Sequence, residues 1–307
     1  MYTMRPFSRR KFLKNSSLAM AGVAFSNSAF GFKNDNFLLS FSTLGCPKWS
    51  LTEILNFANG NGYDGIEIRG LLGELDLTKC PDFGSTEKIS SVKKMLEEKQ
   101  LRIVNLGASA ELHHPNGEKR KSNLDGAKKF IDLAQKLDCP FIRVFPNALP
   151  KDQDRNITLD LISKGLLELG DFAKGSKVSV LLETHGDVVE TNDVLRIMKN
   201  SESAQVGLIW DIFNMWSVTK EPPTQVYEKL NKYIQHTHIK DAKLINGEWH
   251  YVLLGQGEAP VQEAVKALVQ GKYKGFYCFE WEKLWHPDIE EPEIAIAAYP
   301  KQMKKYY

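Results

Sequence analysis

The stretch QHTHIKD, residues 235–241, decides how this chain is interpreted. It places His236, His238 and Lys240 at every second position, and side chains two residues apart on a strand point to the same face. The stretch follows a helix-like segment and is typical of a short strand. Ionisable side chains are seldom fully buried without partners. This face of the strand is therefore expected to point at something polar rather than at a dry core.

Polar side chains also end several other predicted strands. Strand five ends in LLETHGD (181–187), strand six in IWDIFN (209–214) and strand eight in CFEWE (278–282). The side chains singled out at strand ends are Glu67 (strand two), Glu183 and His185 (strand five), Asp211 and Asn214 (strand six), and Glu280 and Trp281 (strand eight).

Apolar, β-branched runs alternate with segments of helical period from residue 37 onward. The runs cover residues 37–44, 65–70, 102–109, 141–147, 178–185, 206–214, 234–241 and 275–282. Such alternation predicts a parallel sheet with helical crossovers. Eight strand–helix units, the last with a weak helical signal, predict a closed (β/α)8 TIM barrel. The alternative is a doubly wound open sheet, which usually has a glycine-rich phosphate turn after its first strand. Residues 42–45 (STLG) are not such a turn.

The strand ends predict a metal site. In a (β/α)8 barrel the active site lies at the C-terminal ends of the strands. Strands five to eight each present a carboxylate or an imidazole at that end, and buried carboxylates that converge without partners need a cation. Two Glu, one Asp and one His suit Mn²⁺, Mg²⁺, Co²⁺ or Zn²⁺ better than a thiolate zinc site would. The four cysteines are scattered without a C-x-x-C motif, so we expect free thiols.

The N-terminus is typical of an export signal. The segment SRRKFLK (8–14) resembles the twin-arginine consensus, and a modestly apolar stretch (17–30) too short to span a bilayer follows. The remaining chain is slightly acidic, which argues against nucleic-acid binding. We expect residues 1–32 to be the signal, residues 33–307 to form the barrel, and the location to be periplasmic. A chance Arg-Arg pair is the alternative.

The residues quoted above resemble those of the sugar isomerase/epimerase superfamily with the xylose isomerase-like TIM barrel. The likeness runs from about residue 37 to 300 and includes the signature H-x-H-x-K-D at residues 236–241. It implies one divalent metal ion bound by Glu183, Asp211, His238 and Glu280. It also implies that Glu183 and Glu280 are the catalytic acid–base pair.

The resemblance implies a metal-dependent isomerase or epimerase that acts through an enediolate on a free sugar or keto-sugar. Two alternatives stay open: a lyase or hydrolase of 3-keto-glycosides or inosose-type substrates, and a non-catalytic sugar-binding protein. An endonuclease IV-like enzyme is disfavoured by the low number of histidines, seven in all. We expect a small-molecule sugar as partner, no nucleic acid and no membrane contact beyond the signal. A homo-oligomer is left open.

Further residues receive secondary roles. His236 is expected behind the metal ligand, Arg69 and Arg143 in ion pairs inside the barrel, and His113 and His114 in a lid or a solvent-facing loop. The side chains expected to contact substrate, with Trp281 as a wall for a sugar ring, are His185, Lys240, Glu67, Asn214 and Trp281.

Overall fold

The computed structural model describes residues 37–306. The predicted export signal lies outside the described residues. The signal, the periplasmic location and the boundary between residues 32 and 33 therefore stay predictions.

Eight parallel strands close into a barrel in the order β1-β2-β3-β4-β5-β6-β7-β10, and β10 pairs with β1. This confirms the (β/α)8 barrel, and the open-sheet alternative is wrong. The barrel strands are β1 (Leu38–Ser42), β2 (Gly65–Ile68), β3 (Arg102–Glu111), β4 (Phe141–Phe145), β5 (Ser179–Glu183), β6 (Val206–Asp211), β7 (Ile234–Ile239) and β10 (Phe276–Phe279).

Helices connect the strands on the outside of the barrel. The first begins with a capping box: the Ser50 hydroxyl accepts a hydrogen bond from the Glu53 backbone N–H at 3.3 Å, and the Glu53 carboxylate accepts one from the Ser50 backbone N–H at 2.7 Å. No helix of residues 37–306 is long and apolar enough to cross a membrane. The helices are α1 (Leu51–Gly60), α2 (Thr86–Glu98), α3 (Glu118–Lys136), α4 (Arg155–Phe172), α5 (Thr191–Asn200), α6 (Ile212–Thr219), α7 (Pro223–Leu230), α8 (Val261–Gln270) and α9 (Pro292–Met303).

A hairpin that the strand pattern did not predict follows β7. It consists of β8 (Asp241–Ile245) and β9 (Glu248–Val252), which pair antiparallel outside the barrel. Asn246 and Gly247 make the turn, with φ of 53° and 88°. Positive φ at both central residues is the requirement of the two-residue hairpin turn that Asn-Gly favours. The Asn-Gly pair was the sequence signal for this turn, but β8 (DAKLI) lacks the alternation of apolar and polar residues that indicates a strand.

The last helix, α9, forms although the sequence gives only a weak helical signal there. Pro300 lies inside it and has no N–H to donate to the carbonyl of Ile296, four residues earlier. The Tyr63 hydroxyl donates to that carbonyl instead, at 2.6 Å. The Tyr299 hydroxyl donates to the Tyr277 carbonyl at 3.1 Å and ties the helix to β10. Contacts with the barrel therefore stabilise a helix that local propensity does not favour.

Candidate metal centre

Four side chains converge at the C-terminal end of four neighbouring barrel strands. Glu183 ends β5, Asp211 ends β6, His238 lies near the end of β7, and Glu280 follows β10. One potential ligand atom from each lies within 4.8 Å of the other three, and all four side chains are buried. The sequence predicted this set as metal ligands, and the structure brings all of it together.

His238 lies at the centre of this group. Its Nδ1 is 3.2 Å from Glu280 Oε1, 3.3 Å from Glu183 Oε1 and 3.9 Å from Asp211 Oδ2. One ring nitrogen thus faces all three carboxylates. A cation bound here would meet Nδ1 together with one oxygen from each carboxylate.

The opposite nitrogen of His238 is held by Glu67. Nε2 lies 2.9 Å from Glu67 Oε2, which also accepts a hydrogen bond from Asn105 Nδ2 at 2.9 Å. His236 Nε2 lies 3.3 Å from the same oxygen, behind the ligand as expected. Glu67 was expected to contact substrate. It is 1% exposed and lies behind His238, on the far side of the ring from the three carboxylates. Its position is that of a carboxylate that orients a metal-binding imidazole.

Two buried cations contact the carboxylates. Arg143 Nη1 donates to Glu183 Oε2 at 2.5 Å, as expected for an ion pair inside the barrel. Lys240 Nζ lies 2.6 Å from Glu280 Oε2, 2.6 Å from Glu282 Oε1 and 2.8 Å from Asp211 Oδ2. Lys240 was expected to bind substrate hydroxyls, but here its ammonium group is engaged by protein carboxylates.

Arg69 differs from the expected ion-pair role. Within residues 37–306 no carboxylate forms an ion pair with it, and its polar contact is Nη1 to the Gly107 carbonyl at 3.5 Å. Gly107 makes room for both guanidinium groups, since a Cβ there would lie 2.6 Å from Arg69 Cδ and 3.1 Å from Arg143 Nη2. Burial, followed by repulsion from Arg143, lowers the pKa of Arg69 to about 10.

Burial alone would lower the pKa of His238, but Glu280, Glu67 and Glu183 outweigh it and raise that pKa well above its usual value. Burial would raise the pKa of Glu183, but Arg143 and His238 together outweigh it and lower the pKa to about 2. Burial raises the pKa of Asp211 to about 7, against the pull of Lys240.

The charge balance fits a divalent cation. Five buried or half-buried carboxylates meet three cations, so the group lacks two positive charges when His238 is neutral. Asp211 Oδ2 also lacks a well-oriented hydrogen bond, although Lys240 is close. An excess of buried carboxylates needs a compensating ion. The carboxylates are Glu67, Glu183, Asp211, Glu280 and Glu282, and the cations are Arg69, Arg143 and Lys240.

Three other residues were expected to contact substrate. The backbone N–H of Asn214 donates to Asp211 Oδ1 at 2.7 Å, so Asp211 also caps α6. His185 lies on the same rim, with Nδ1 3.1 Å from Asn147 Oδ1, and burial lowers the pKa of its ring. Trp281 is 0% exposed and donates to the Glu290 carbonyl at 3.0 Å. It is a core side chain and does not form the expected wall for a sugar ring.

The chain matches the family described as Xylose isomerase-like TIM barrel over residues 55–301. It belongs to this family. The resemblance noted in the sequence is thereby confirmed. A comparison with curated proteins finds no match.

Solved structures share the fold of this family member at low sequence identity. The probable 3-DHS dehydratase AsbF of Bacillus anthracis is 17% identical with a TM-score of 0.71, covering 87% of this chain and 98% of its own. The IOLI protein with a binding zinc atom is 18% identical with a TM-score of 0.72, covering 88% and 99%. The 3-keto-D-glucoside 4-epimerase YcjR of E. coli is 16% identical with a TM-score of 0.68, covering 88% and 99%.

Within this member of the family, the hairpin supplies aromatic residues that sequence reasoning missed. The Tyr251 hydroxyl donates to Glu282 Oε1 at 3.1 Å, next to Lys240. The Trp249 ring packs on Phe213 of α6, with ring centroids 5.3 Å apart. Tyr251 of β9 thus lies beside the centre, and His286 of the last loop packs on its ring at 4.9 Å.

Asp241, the last residue of the signature, has a structural role. Its Oδ2 accepts the amides of Gly255 and Gly257, both at 2.9 Å, and Oδ1 accepts the amide of Ala259 at 3.1 Å. A Cβ on Gly257 would lie 2.0 Å from Asp241 Oδ1, so only glycine fits there. This carboxylate holds the loop that leads away from the hairpin and fixes β8 directly after Lys240.

Proposed function

We propose that this protein is a divalent-metal-dependent isomerase or epimerase of a free sugar or keto-sugar. The observation that carries the proposal is the convergence of Glu183, Asp211, His238 and Glu280 in a buried pocket whose five carboxylates outnumber its three Arg and Lys side chains. Structural neighbours named as a D-tagatose 3-epimerase-like protein and a 3-keto-D-glucoside 4-epimerase support this reaction class. The four side chains would hold the cation.

A cation held by these four side chains would supply Lewis acidity, which would acidify the C–H bond next to a substrate carbonyl. Arg143 keeps Glu183 ionised, so Glu183 can take the proton from carbon and leave an enediolate. Burial opposes ionisation of Glu280, but His238 and Lys240 outweigh it and hold its pKa well below the usual value. Glu280 can therefore take the hydroxyl proton.

Proton return completes either reaction. Glu280 delivers its proton to the opposite face of the carbon, and Glu183 returns the other proton to oxygen, so both carboxylates are restored and the carbon is epimerised. In an isomerisation, Glu183 instead returns its proton to the neighbouring carbon, and Glu280 returns its proton to the former carbonyl oxygen. Lys240 donates to Glu280 Oε2 at 2.6 Å and fixes its orientation.

A lyase acting on 3-keto-glycosides is the second candidate. A structural neighbour is named a dehydratase, and an elimination needs an acid for the leaving oxygen. The Tyr251 hydroxyl, hydrogen-bonded to Glu282 beside Lys240, is a proton donor in a suitable place. In this case the enediolate expels the substituent on the next carbon instead of regaining a proton.

The test is proton exchange in D₂O with full-length protein loaded with Mn²⁺, screened against ketoses and 3-keto-glycosides. We expect deuterium at the carbon beside the carbonyl with at least one substrate, and loss of exchange in Glu183→Gln. Glu248→Gln, an exposed carboxylate of the hairpin, is the matched control. Loss of a leaving group would select the lyase. Absence of exchange in metal-loaded protein across the screen would contradict both reactions.

We also propose that the segment SRRKFLK (8–14) directs export and that the enzyme acts outside the cytoplasm. Twin-arginine signals depend on the two arginines. Cell fractionation should find the wild type outside the cytoplasm and the Arg9→Lys, Arg10→Lys double variant inside it. An unchanged distribution would contradict the proposal.

A further inference from the structure

A second group of potential metal ligands lies after β3, outside the centre described above. It consists of Glu111, His113 and His114, each with one potential ligand atom within 4.8 Å of the other two. The sequence analysis expected these histidines in a lid or a solvent-facing loop. In the structure they are only 7% and 6% exposed.

His113 has a ring nitrogen without a partner. Among residues 37–306 its Nδ1 is buried and has no hydrogen-bond partner. A buried polar atom without a partner is costly. A cation bound at this nitrogen would satisfy it.

The other two side chains lie beside His113. His114 Nε2 lies 2.8 Å from Glu111 Oε2, and the rings of His113 and His114 are 3.9 Å apart, tilted by 51°. The second oxygen of Glu111 accepts a hydrogen bond from Asn147 Nδ2 at 2.7 Å. This bond fixes the carboxylate and leaves Oε2 directed at the imidazole.

The segment that carries these residues is held by its neighbours. Arg120 Nη1 donates to the Leu112 carbonyl at 3.0 Å and to the His114 carbonyl at 3.2 Å. The Glu111 amide donates to Asn123 Oδ1 at 2.8 Å. Both Arg120 and Asn123 belong to α3, so a rigid helix positions the three side chains. Such support is what a metal site needs to keep its geometry.

We propose that Glu111, His113 and His114 bind a second divalent cation, for which Zn²⁺ is the best match. Two imidazoles and one carboxylate, with a fourth position left for water, form a common zinc donor set.

This second site is linked to the rim of the first centre. Asn147 donates to Glu111 through Nδ2, and its Oδ1 lies 3.1 Å from His185 Nδ1. His185 is two residues beyond Glu183. Zinc at the second site would hold Glu111, and through Asn147 it would order the imidazole that borders the first centre.

The experiment is elemental analysis of full-length, tag-free protein dialysed against Zn²⁺. We expect two zinc ions per chain in the wild type. His113→Gln and Glu111→Gln should each retain only the zinc ion of the first centre. Asp211→Asn should retain only the zinc ion of the second site, and the Glu111→Gln, Asp211→Asn double variant should retain none. His250→Gln, in the hairpin, is the control and should retain two. Circular dichroism and thermal unfolding confirm that each variant is folded.

One zinc ion per chain in the wild type, unchanged in Glu111→Gln, would overturn the proposal. So would two zinc ions in folded Glu111→Gln. If His113→Gln does not fold, Glu111→Gln decides, because the amide has the shape of the carboxylate. One zinc ion that is lost in Glu111→Gln but kept in Asp211→Asn would support the second site and contradict the first centre.

Discussion

His238 Nε2 lies 2.9 Å from Glu67 Oε2, on the side of the ring opposite the three carboxylates that face Nδ1. The Glu67 carboxylate holds the proton on Nε2 and leaves the Nδ1 lone pair for a cation. Asn105 donates to the same carboxylate oxygen, and His236 lies 3.3 Å from it, so the carboxylate is held in place. The position of the carboxylate in turn fixes the plane of the His238 ring. The geometry of the centre therefore depends on a residue that touches neither metal nor substrate.

Glu67→Gln should weaken metal binding with the fold intact. An amide carries no charge and can present N–H to Nε2, which favours the wrong tautomer of His238. Loss of such a carboxylate typically reduces metal affinity by about 10- to 100-fold. Isothermal titration with Mn²⁺ measures the change, with the exposed Glu74→Gln as control. Equal affinities in the two variants would mean that Glu67 does not position His238.

Lys240→Met should destabilise the metal-free protein strongly. The ammonium group contacts Asp211, Glu280 and Glu282, and its removal leaves buried carboxylates without a counterion. Breaking a buried ion pair typically costs about 3–5 kcal/mol. Urea unfolding with and without Mn²⁺ should show a larger rescue by metal in this variant than in the wild type. An equal rescue would contradict the charge balance derived above.

Metal affinity should fall as the pH falls. Glu280, Glu67 and Glu183 outweigh burial and raise the pKa of His238, whereas burial raises the pKa of Asp211 to about 7. Metal requires the neutral imidazole and the ionised carboxylate, so binding displaces the proton from each group that carries one. The affinity should therefore fall as the pH falls, and more steeply below about pH 7, where Asp211 also carries a proton.

Mn²⁺ titrations between pH 5.5 and 8 check this dependence. Asp211→Asn has no titrating group at this position. It should bind Mn²⁺ more weakly, and its affinity should change less steeply with pH across the whole range. An affinity in the wild type that does not change with pH would show that neither proton is displaced by the cation.

Tyr63→Phe should destabilise α9 through a single carbonyl. It leaves the Ile296 carbonyl without a donor, because Pro300 has no N–H. A buried polar group left unpaired costs about 1–3 kcal/mol. Pro300→Ala restores an N–H for that carbonyl, so the double variant should recover part of the loss. Urea unfolding of the four proteins gives the coupling energy. Additive losses would contradict the compensation.

The convergence of the four candidate ligands was predictable from strand period and strand order. Glu183, Asp211, His238 and Glu280 each occur at a strand end, and parallel strands bring those ends together. The choice of His238 rather than His236 came from the resemblance to the family. The role of Glu67 was not predictable in this way. It occurs at the same period as the ligands, and only the closure of β2 near β7 across the barrel places it behind His238.

Trp281 and Tyr251 show why side-chain environments were harder to predict. Trp281 follows Glu280 in sequence, yet its side chain is buried and its indole N–H donates to the Glu290 carbonyl. Tyr251 is far from any predicted strand end and reaches Glu282 only because the hairpin folds over α6. Both outcomes depend on how loops fold back, and local pattern does not encode that.

Mn²⁺ binding by full-length protein in the Glu111→Gln background, which removes the second site, tests the central claim most directly. Electron paramagnetic resonance counts the bound ions. One Mn²⁺ per chain is expected, with loss of binding in Glu183→Gln, Asp211→Asn, His238→Gln and Glu280→Gln and no loss in Glu248→Gln. No bound Mn²⁺ in the folded parent, or unchanged binding in the four ligand variants, would contradict the metal centre and the function proposed from it.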